Sequence, residues 1–516
     1  MTMAGKYMQR PSELVRRLDP SRLLGHFALG RSLPPEPPRW QRRQVCGWTL
    51  VHEPSLPALE LHDSDGVPIG WVVGHLIDLQ AETLVTGPLR APVDGEAGAA
   101  GPSFEDWLYE FAGRFVVIVL GPRPRLYPDG GASLPVLFSA ALERAASSPF
   151  LLSAPDGTIP DSPLVDMLSL FEADSCFTLG ATSHAQADLL LANHVLSLDC
   201  WEQSRIWPPA HFDFDDVGSL VERVATTLEK TISSVTATGC PNVGLTAGGD
   251  CRVFVACSRR VLDRVRFFTA AFPDELGVID LATAPTLAER FCLQHRILSW
   301  LEPSLADIEL FMYRTGCLAG EQRGRRAAPT YNQLGGSEVY ISSVGAEISR
   351  AIGRQHFDKV NVRLTPRALI MRFGLELNLE YLRRAADWLA KLPEGLSRLN
   401  ALTLFYAEMD NYAWGGPLTT AYPEAYSFAL YPYTHRAVLD AIFRLPNDYR
   451  LSGRLREDII AARWPELLKV PINRPPVWVT AKRIQRRFVS LAKSALSWRA
   501  WNRLLERTLR DFGMYR

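Results

Sequence analysis

The chain has 516 residues, 47% of them hydrophobic and 22% charged, with 56 basic and 56 acidic side chains. That is enough chain for two or more domains with ordinary cores, and a net charge of zero excludes a global field that would recruit nucleic acid or an anionic membrane. Eight cysteines fall singly, without a CxxC pair or metal-ligand spacing, and no signal-peptide core or unbroken run of about 18 apolar residues occurs, so a soluble protein of the reducing cytoplasm is expected.

Residues 1 to 44 are basic and proline-punctuated, closing on Pro34-Pro35-Glu36-Pro37-Pro38. Because proline removes a donor and fixes φ, the segment reads as a loose lead-in. From 45 to 160, short alternating or apolar runs between turn residues predict strands at Trp71–Gly74, Phe115–Leu120, Arg125–Tyr127 and Val136–Phe138. One helix is expected from Ser103 to Ala112, with an N-cap serine and the early pair Glu105-Asp106. This is the pattern of a β-rich α+β domain. Residues 161 to 213 read as a connector, and its His184 and His194 lack a carboxylate or cysteine at ligand spacing, which makes them structural.

A second domain is expected from 214 to 478. An amphipathic helix (Val217–Val235) precedes a short apolar run, Val243-Gly244-Leu245, that leads into the turn Thr246-Ala247-Gly248-Gly249-Asp250-Cys251 and a buried helix to Cys257. Strands at Val265–Thr269 and His295–Leu298, with a helix Asp280–Phe291 between them, argue an α/β doubly wound parallel sheet whose ligands bind at the carboxyl ends of its strands. The small residues of the turn let backbone N–H groups approach an anion and the helix N-terminus adds attraction, so phosphate is the expected ligand. The same glycines also suit a turn that merely packs tightly. Val339–Arg350 reads as strand, turn and helix again, and helical spacing returns at Leu377–Leu392, Ser397–Tyr412 and Arg436–Phe443. From 479 to 516, basic residues surround Trp498, Trp501, Leu504 and Leu505 in the pattern of amphipathic helices. They read as a solvated face, with contact to a membrane surface or an anionic partner as the alternative.

Thr246 to Cys251 resembles the SGGxDS pyrophosphate loop of the ATP pyrophosphatase family, which includes the asparagine synthetases. In that register Thr246 stands at the first Ser, Ala247 and Gly248 at the two Gly, Gly249 at the variable position, Asp250 at the Asp and Cys251 at the last Ser. Thr246 keeps a hydroxyl, Ala247 adds a methyl, and the Cys251 thiol is a weak donor. Val339–Arg350 is similar to the segment SGEGSDELFGG, with Glu347 on its second Glu, Ser343 at the position of a catalytic Glu and Ala346 at that of an Asp. Gly113-Arg114-Phe115, Leu126-Tyr127-Pro128-Asp129 and Ala146-Ser147-Ser148 are similar to the family's glutaminase-like domain. Tyr431–Arg436, Leu445-Pro446 and Arg463–Asn473 resemble its C-terminal segments.

The resemblance runs from roughly Trp48 to Arg474. It implies a degenerate glutaminase-like α+β sandwich of the N-terminal-nucleophile type, then an α/β doubly wound parallel-sheet pyrophosphate-loop domain with a helical C-terminal part. The glutaminase nucleophile is a processed N-terminal cysteine; here the second residue is Thr2 and the nearest thiol is Cys46, so glutaminase activity is expected to be absent. The implied cofactors are ATP and Mg²⁺, with Leu245 at the adenine, Thr246, Ala247, Gly248, Gly249, Asp250 and Cys251 at the pyrophosphate, and Asp250 at the metal. Glu347 and Lys469 are the implied catalytic residues, with Arg474 as the other cation near Lys469. The implied reaction adenylates a small-molecule or peptide carboxylate and transfers ammonia or an amine to it, as in a bacterial biosynthetic cluster. Two alternatives stand beside it: a binding or scaffolding subunit that has lost catalysis, in which Asp250 caps the loop helix, and a peptide cyclase that forms a macrolactam.

Overall fold

The computed structural model describes residues 10–92, 102–153, 158–168, 175–213, 215–336, 338–350, 364–372, 375 and 377–473. The first strands are β1 (Phe27–Gly30), β2 (Gln41–Val45), β3 (Trp48–His52), β4 (Ala58–His62), β5 (Pro68–Asp78), β6 (Thr83–Leu84) and β7 (Leu89–Arg90). After the helix Pro102–Leu108 come β8 (Ala112–Val119), β9 (Arg125–Pro128), β10 (Leu137–Ser139), β11 (Arg144–Ala146), β12 (Asp188–Leu189), β13 (His194–Ser197) and β14 (Glu202–Arg205). They form two sheets, ordered β12-β10-β11-β1-β3-β2 and β14-β13-β9-β8-β5-β4-β7, with β6 paired to β5. All of these pairs are antiparallel except β4 with β7.

The period of two along a strand sorts the side chains into layers. Trp71 and Val73 of β5 pack in one core with Phe27, Leu29, Trp48 and Leu50 of the other sheet. Val72 and Leu76, on the opposite face, pack with Phe104 and Leu108 of the helix. The outer face of the first sheet, through Ala28, Val51, Leu137 and Ala146, belongs to the large core shared with the second half of the chain.

Two sequence expectations need correction here. The segment 1 to 44 is not a loose lead-in where it is described: all four residues of β1 are buried, and β1 lies inside its sheet between β3 and β11. Pro11–Arg17 is a helix whose Leu14 is buried and whose Arg17 pairs with Glu309 at 2.8 Å. The prolines that suggested looseness lie in the link between β1 and β2, where no ladder donor is required. Nor does the connector of 161 to 213 stand apart, because β12 forms an edge of one sheet and β13 and β14 complete the other. Strands of two to four residues are too short to show a period.

The second half opens with the helix Val217–Thr236, followed by β15 (Asn242–Gly244), the helix Gly249–Cys257, β16 (Arg266–Ala270), the helix Glu275–Arg290 and β17 (His295–Leu298). β18 (Val339–Ile341) and β19 (Phe428–Leu430) complete a sheet ordered β17-β16-β15-β18-β19, parallel throughout. The chain winds outward from β15 to β17 on one side and returns to β18 on the other, so β15 sits at the reversal of strand order, where open α/β sheets place their ligands. The longest of the remaining described helices are Leu305–Arg314, Glu321–Tyr331, Leu379–Ala390, Arg398–Tyr406, Arg436–Arg444 and Leu455–Arg463, with a π-helical turn at Ala407–Asn411. No described helix is long and apolar enough to cross a membrane. The basic stretch expected from 479 to 516, and Arg474, lie outside the described residues.

The two halves meet through close backbone and buried polar contacts. A Cβ on Gly130 would stand 2.3 Å from the Thr434 carbonyl oxygen, so only glycine fits there. Arg114 Nε donates to Thr419 Oγ1 at 2.8 Å, and the His75 ring stacks on Phe428 at 4.0 Å.

Candidate anion site at the strand ends

β15 hands the chain to the loop at Leu245, whose side chain is fully buried, whose N–H donates to the Phe268 carbonyl at 2.7 Å and whose own carbonyl accepts from Thr269 Oγ1 at 2.7 Å. Leu245 is therefore spent on the sheet and, contrary to the sequence expectation, presents no side chain to an adenine.

The loop closes on itself. The Thr246 N–H donates to Cys251 Sγ at 3.2 Å, the two side chains lie 3.1 Å apart, and the Gly248 N–H donates to Thr246 Oγ1 at 3.2 Å. Ala247 donates to Asp280 Oδ1 at 2.8 Å and accepts from the Asn473 N–H at 2.9 Å. The Cys251 thiol points back into the turn, where burial above all pushes its pKa up. It does not face the open side where a pyrophosphate was expected.

Gly248 is the N-cap of the loop helix and, having no side chain, leaves its first turn without a side-chain acceptor. Asp250 does not cap the helix. Its carboxylate instead accepts from Arg350 Nη2 at 2.8 Å, both side chains being about three-quarters buried. On the other side a Cβ on Gly249 would stand 2.8 Å from Cδ of Arg456, so this arginine lies across the loop. The helix itself is buried from Cys251 to Cys257, as its apolar composition demands. Its Arg252 is fully buried and donates to the carbonyls of Leu467, Val470 and Pro471, pinning that segment beside the loop.

Three carboxyl-terminal strand ends converge here. β18 runs into Gly345, whose φ of +93° permits the turn, and then into the helical turn Ala346–Arg350 that carries half-buried Glu347 and Arg350. β19 runs into Tyr433. Burial is the largest influence raising Tyr433, and the charges of Asp250 and Glu347 add to it against Arg350, which locates all four groups in one neighbourhood. Lys469 is exposed at the end of the turn Pro465–Lys469 and makes no hydrogen bond or ion pair among the described residues.

A phosphate-bearing ligand fits these residues, because an uncapped helix N-terminus and two guanidinium groups attract anions. For Mg²⁺ the neighbourhood offers the carboxylates of Asp250, which is paired with Arg350, and of Glu347; Asp280 accepts from Ala247, and Ser343 and Ala346 bring none. Among the described residues no group of three or more His, Cys, Asp or Glu gathers to hold a metal.

His184 bonds the Leu152 carbonyl through Nε2 at 2.9 Å, and His194 bonds that of Ala192 through Nδ1 at 2.9 Å. Cys46 is exposed in the turn between β2 and β3, so a cut just before it would strip β1 and β2 from their sheet. Sequence reasoning gave no role to Arg350, Arg456, Asp280 or Tyr433. The signals present were the strand-turn-helix pattern ending at Arg350, the family-like segment Tyr431–Arg436 around Tyr433 and the expected helix start at Asp280, none of which pointed to this loop. Comparison of the chain with protein-family models and with curated proteins finds no match.

Proposed function

We propose that this protein is an ATP-dependent amide-bond-forming enzyme of the asparagine-synthetase type, joining a small-molecule or peptide carboxylate to ammonia or an amine. The observation that supports this reading is the uncapped N-terminus of the helix Gly249–Cys257, flanked by Arg350 and Arg456 at the carboxyl end of the central parallel strand. Bound ATP supplies the phosphoanhydride that makes a carboxylate reactive toward an amine. The first-turn N–H groups take phosphate oxygens, and Arg456 and Arg350 neutralise their charge, Arg350 doing so against its pairing with Asp250. Glu347 stands on the same rim and serves as the proton acceptor for the attacking amine; exposed Lys469 positions the carboxylate. In this reading the arginines carry the charge neutralisation, and Asp250 and Glu347 are the carboxylates that would hold Mg²⁺ beside the phosphates.

The test is pyrophosphate release from ATP across a panel of carboxylates, with ammonium or hydroxylamine as acceptor. Carboxylate-dependent release that disappears in Arg456→Ala supports the proposal. ATP binding without release across the panel favours the second reading, a nucleotide-binding subunit without turnover. One specific observation speaks for that reading: the N–H groups of Thr246, Ala247 and Gly248 are already occupied by Cys251, Asp280 and Thr246.

A further inference from the structure

Away from the strand-end loop, a cleft of about 720 Å³ opens between β14 and the helix Leu379–Ala390. Its volume is within the roughly 300–1,000 Å³ of small-molecule sites. β14 is the edge strand of its sheet, and the facing wall carries Arg383, Arg384, Asp387, Trp388 and Lys391.

The floor is held in place from beneath. Glu408, fully buried on the π-helical turn, accepts from Arg205 at 2.7 and 3.0 Å, from Trp388 Nε1 at 2.8 Å and from Asn193 Nδ2 at 2.9 Å. Arg205 is itself only 5% exposed. A desolvated carboxylate with four such bonds fixes Arg205 and Trp388 before any ligand arrives, which lowers the ordering cost of binding.

The walls define the ligand's chemistry. Arg384 is paired with Asp188 and Glu380 at 2.6 Å each, Arg383 with Glu380 at 2.9 Å, and Lys391 with Asp387 at 2.9 Å. An ionic ligand would have to compete with these pairs. A hydroxyl can donate to a paired carboxylate and accept from a paired guanidinium while leaving each pair intact. Trp201, Trp388 and Phe138, all largely buried, add aromatic surface to the lining against which the apolar C–H groups of a ring can pack. His194 lines the cleft with Nδ1 engaged by Ala192, which leaves Nε2 for a ligand. Burial keeps that ring neutral, so Nε2 accepts and calls for a donor.

We propose that the cleft between β14 and the helix Leu379–Ala390 binds a neutral, hydroxyl-rich ligand of disaccharide size. No loop residue of the strand-end site lines it, so it stands or falls independently of the amide-ligase reading.

The experiment titrates the full chain with maltose, cellobiose, lactose and diacetylchitobiose, and with glucose 6-phosphate and glucuronate as charged counterparts. Calorimetry and intrinsic tryptophan fluorescence are the readouts. At least one neutral disaccharide binds saturably and more tightly than either charged sugar. Ser204→Trp, at an exposed lining position of β14, fills the cleft and weakens that binding by roughly tenfold or more. Asp387→Trp does the same from the opposite wall and serves if the first variant does not fold. Failure of every neutral disaccharide to bind, tighter binding of a charged sugar, or undiminished affinity in a folded blocking variant would each overturn the proposal.

Discussion

Oδ2 of Asp250 lies 2.8 Å from Nη2 of Arg350, so the one carboxylate of the loop faces a guanidinium. This pairing reverses the expected effect of removing the carboxylate. If Asp250 held a metal, Asp250→Asn would weaken nucleotide binding; with Arg350 as its partner, the substitution releases a positive charge toward the helix N-terminus. In the absence of Mg²⁺, Asp250→Asn therefore binds pyrophosphate at least as tightly as the parent. Arg350→Gln loses about tenfold, or ~1.4 kcal/mol. Calorimetric titration with pyrophosphate, with and without Mg²⁺, decides; weaker binding in Asp250→Asn that depends on Mg²⁺ would show the carboxylate holding the metal.

The Cys251 thiol gives a second test, since it touches Thr246 and not the open side of the loop. Cys251→Ser puts a stronger hydrogen-bonding group in the same place and leaves ATP affinity within about threefold of the parent, a difference of less than ~1 kcal/mol. In the native protein, brief alkylation modifies exposed Cys46, Cys200 and Cys292 before buried Cys251, Cys257 and Cys317, as mass spectrometry of peptides can show. Rapid labelling of Cys251 would mean that the loop opens readily.

Arg252 ties the loop helix to the segment Leu467–Pro471 by carbonyl bonds made in a fully buried site. Arg252→Met fills much of the same volume without the donors, and leaves those carbonyls unsatisfied at a cost of about 2–3 kcal/mol. Chemical denaturation should register the loss. Limited proteolysis should cut near Lys469 in the variant before it cuts elsewhere, and an unchanged digestion pattern would count against the pinning role.

Burial is the dominant influence that lowers His26 and His75 to about 3 and His194 and His435 to about 4. Unfolded, the same rings take protons near pH 6.5. Between about pH 6.5 and pH 4 the unfolded chain therefore binds more protons than the folded one, and stability falls as pH falls. Each ring contributes a slope of roughly 1.4 kcal/mol per pH unit within that window. Unfolding at pH 5 should take up several protons, measurable from calorimetric enthalpies in buffers of different ionisation heat. An uptake below about one proton would show that these rings are already charged in the fold.

Much of the architecture was legible because long elements carry period. The helix expected from Val217 to Val235 is observed as Val217–Thr236, and β17 spans the expected His295–Leu298. β1 was hidden because four apolar residues among prolines and arginines show no alternation, although tertiary pairing makes them an inner strand. The loop was legible as a turn before a buried helix, but the direction of the Cys251 thiol depends on the Thr246 side chain and cannot be read from spacing. Arg456 reaches Gly249 from a helix far along the chain, a contact fixed by packing alone. Pattern predicts which segments form elements; it is silent on which distant side chains cover them.

The docking of Pro11–Arg17 carries a consequence for synthesis. The strands of both sheets are complete by Arg205, yet the Glu309 that Arg17 binds, and the Arg314 that donates to the Arg22 carbonyl at 3.2 Å, lie on a helix ending at residue 314. A ribosome making 5–20 residues per second takes roughly 5–20 s to add the intervening hundred or so residues. During that interval the emerging sandwich can fold while Leu14 and Arg17 wait without their partners. A fragment ending near residue 213 would keep that interval open for good, exposing the same surface to self-association.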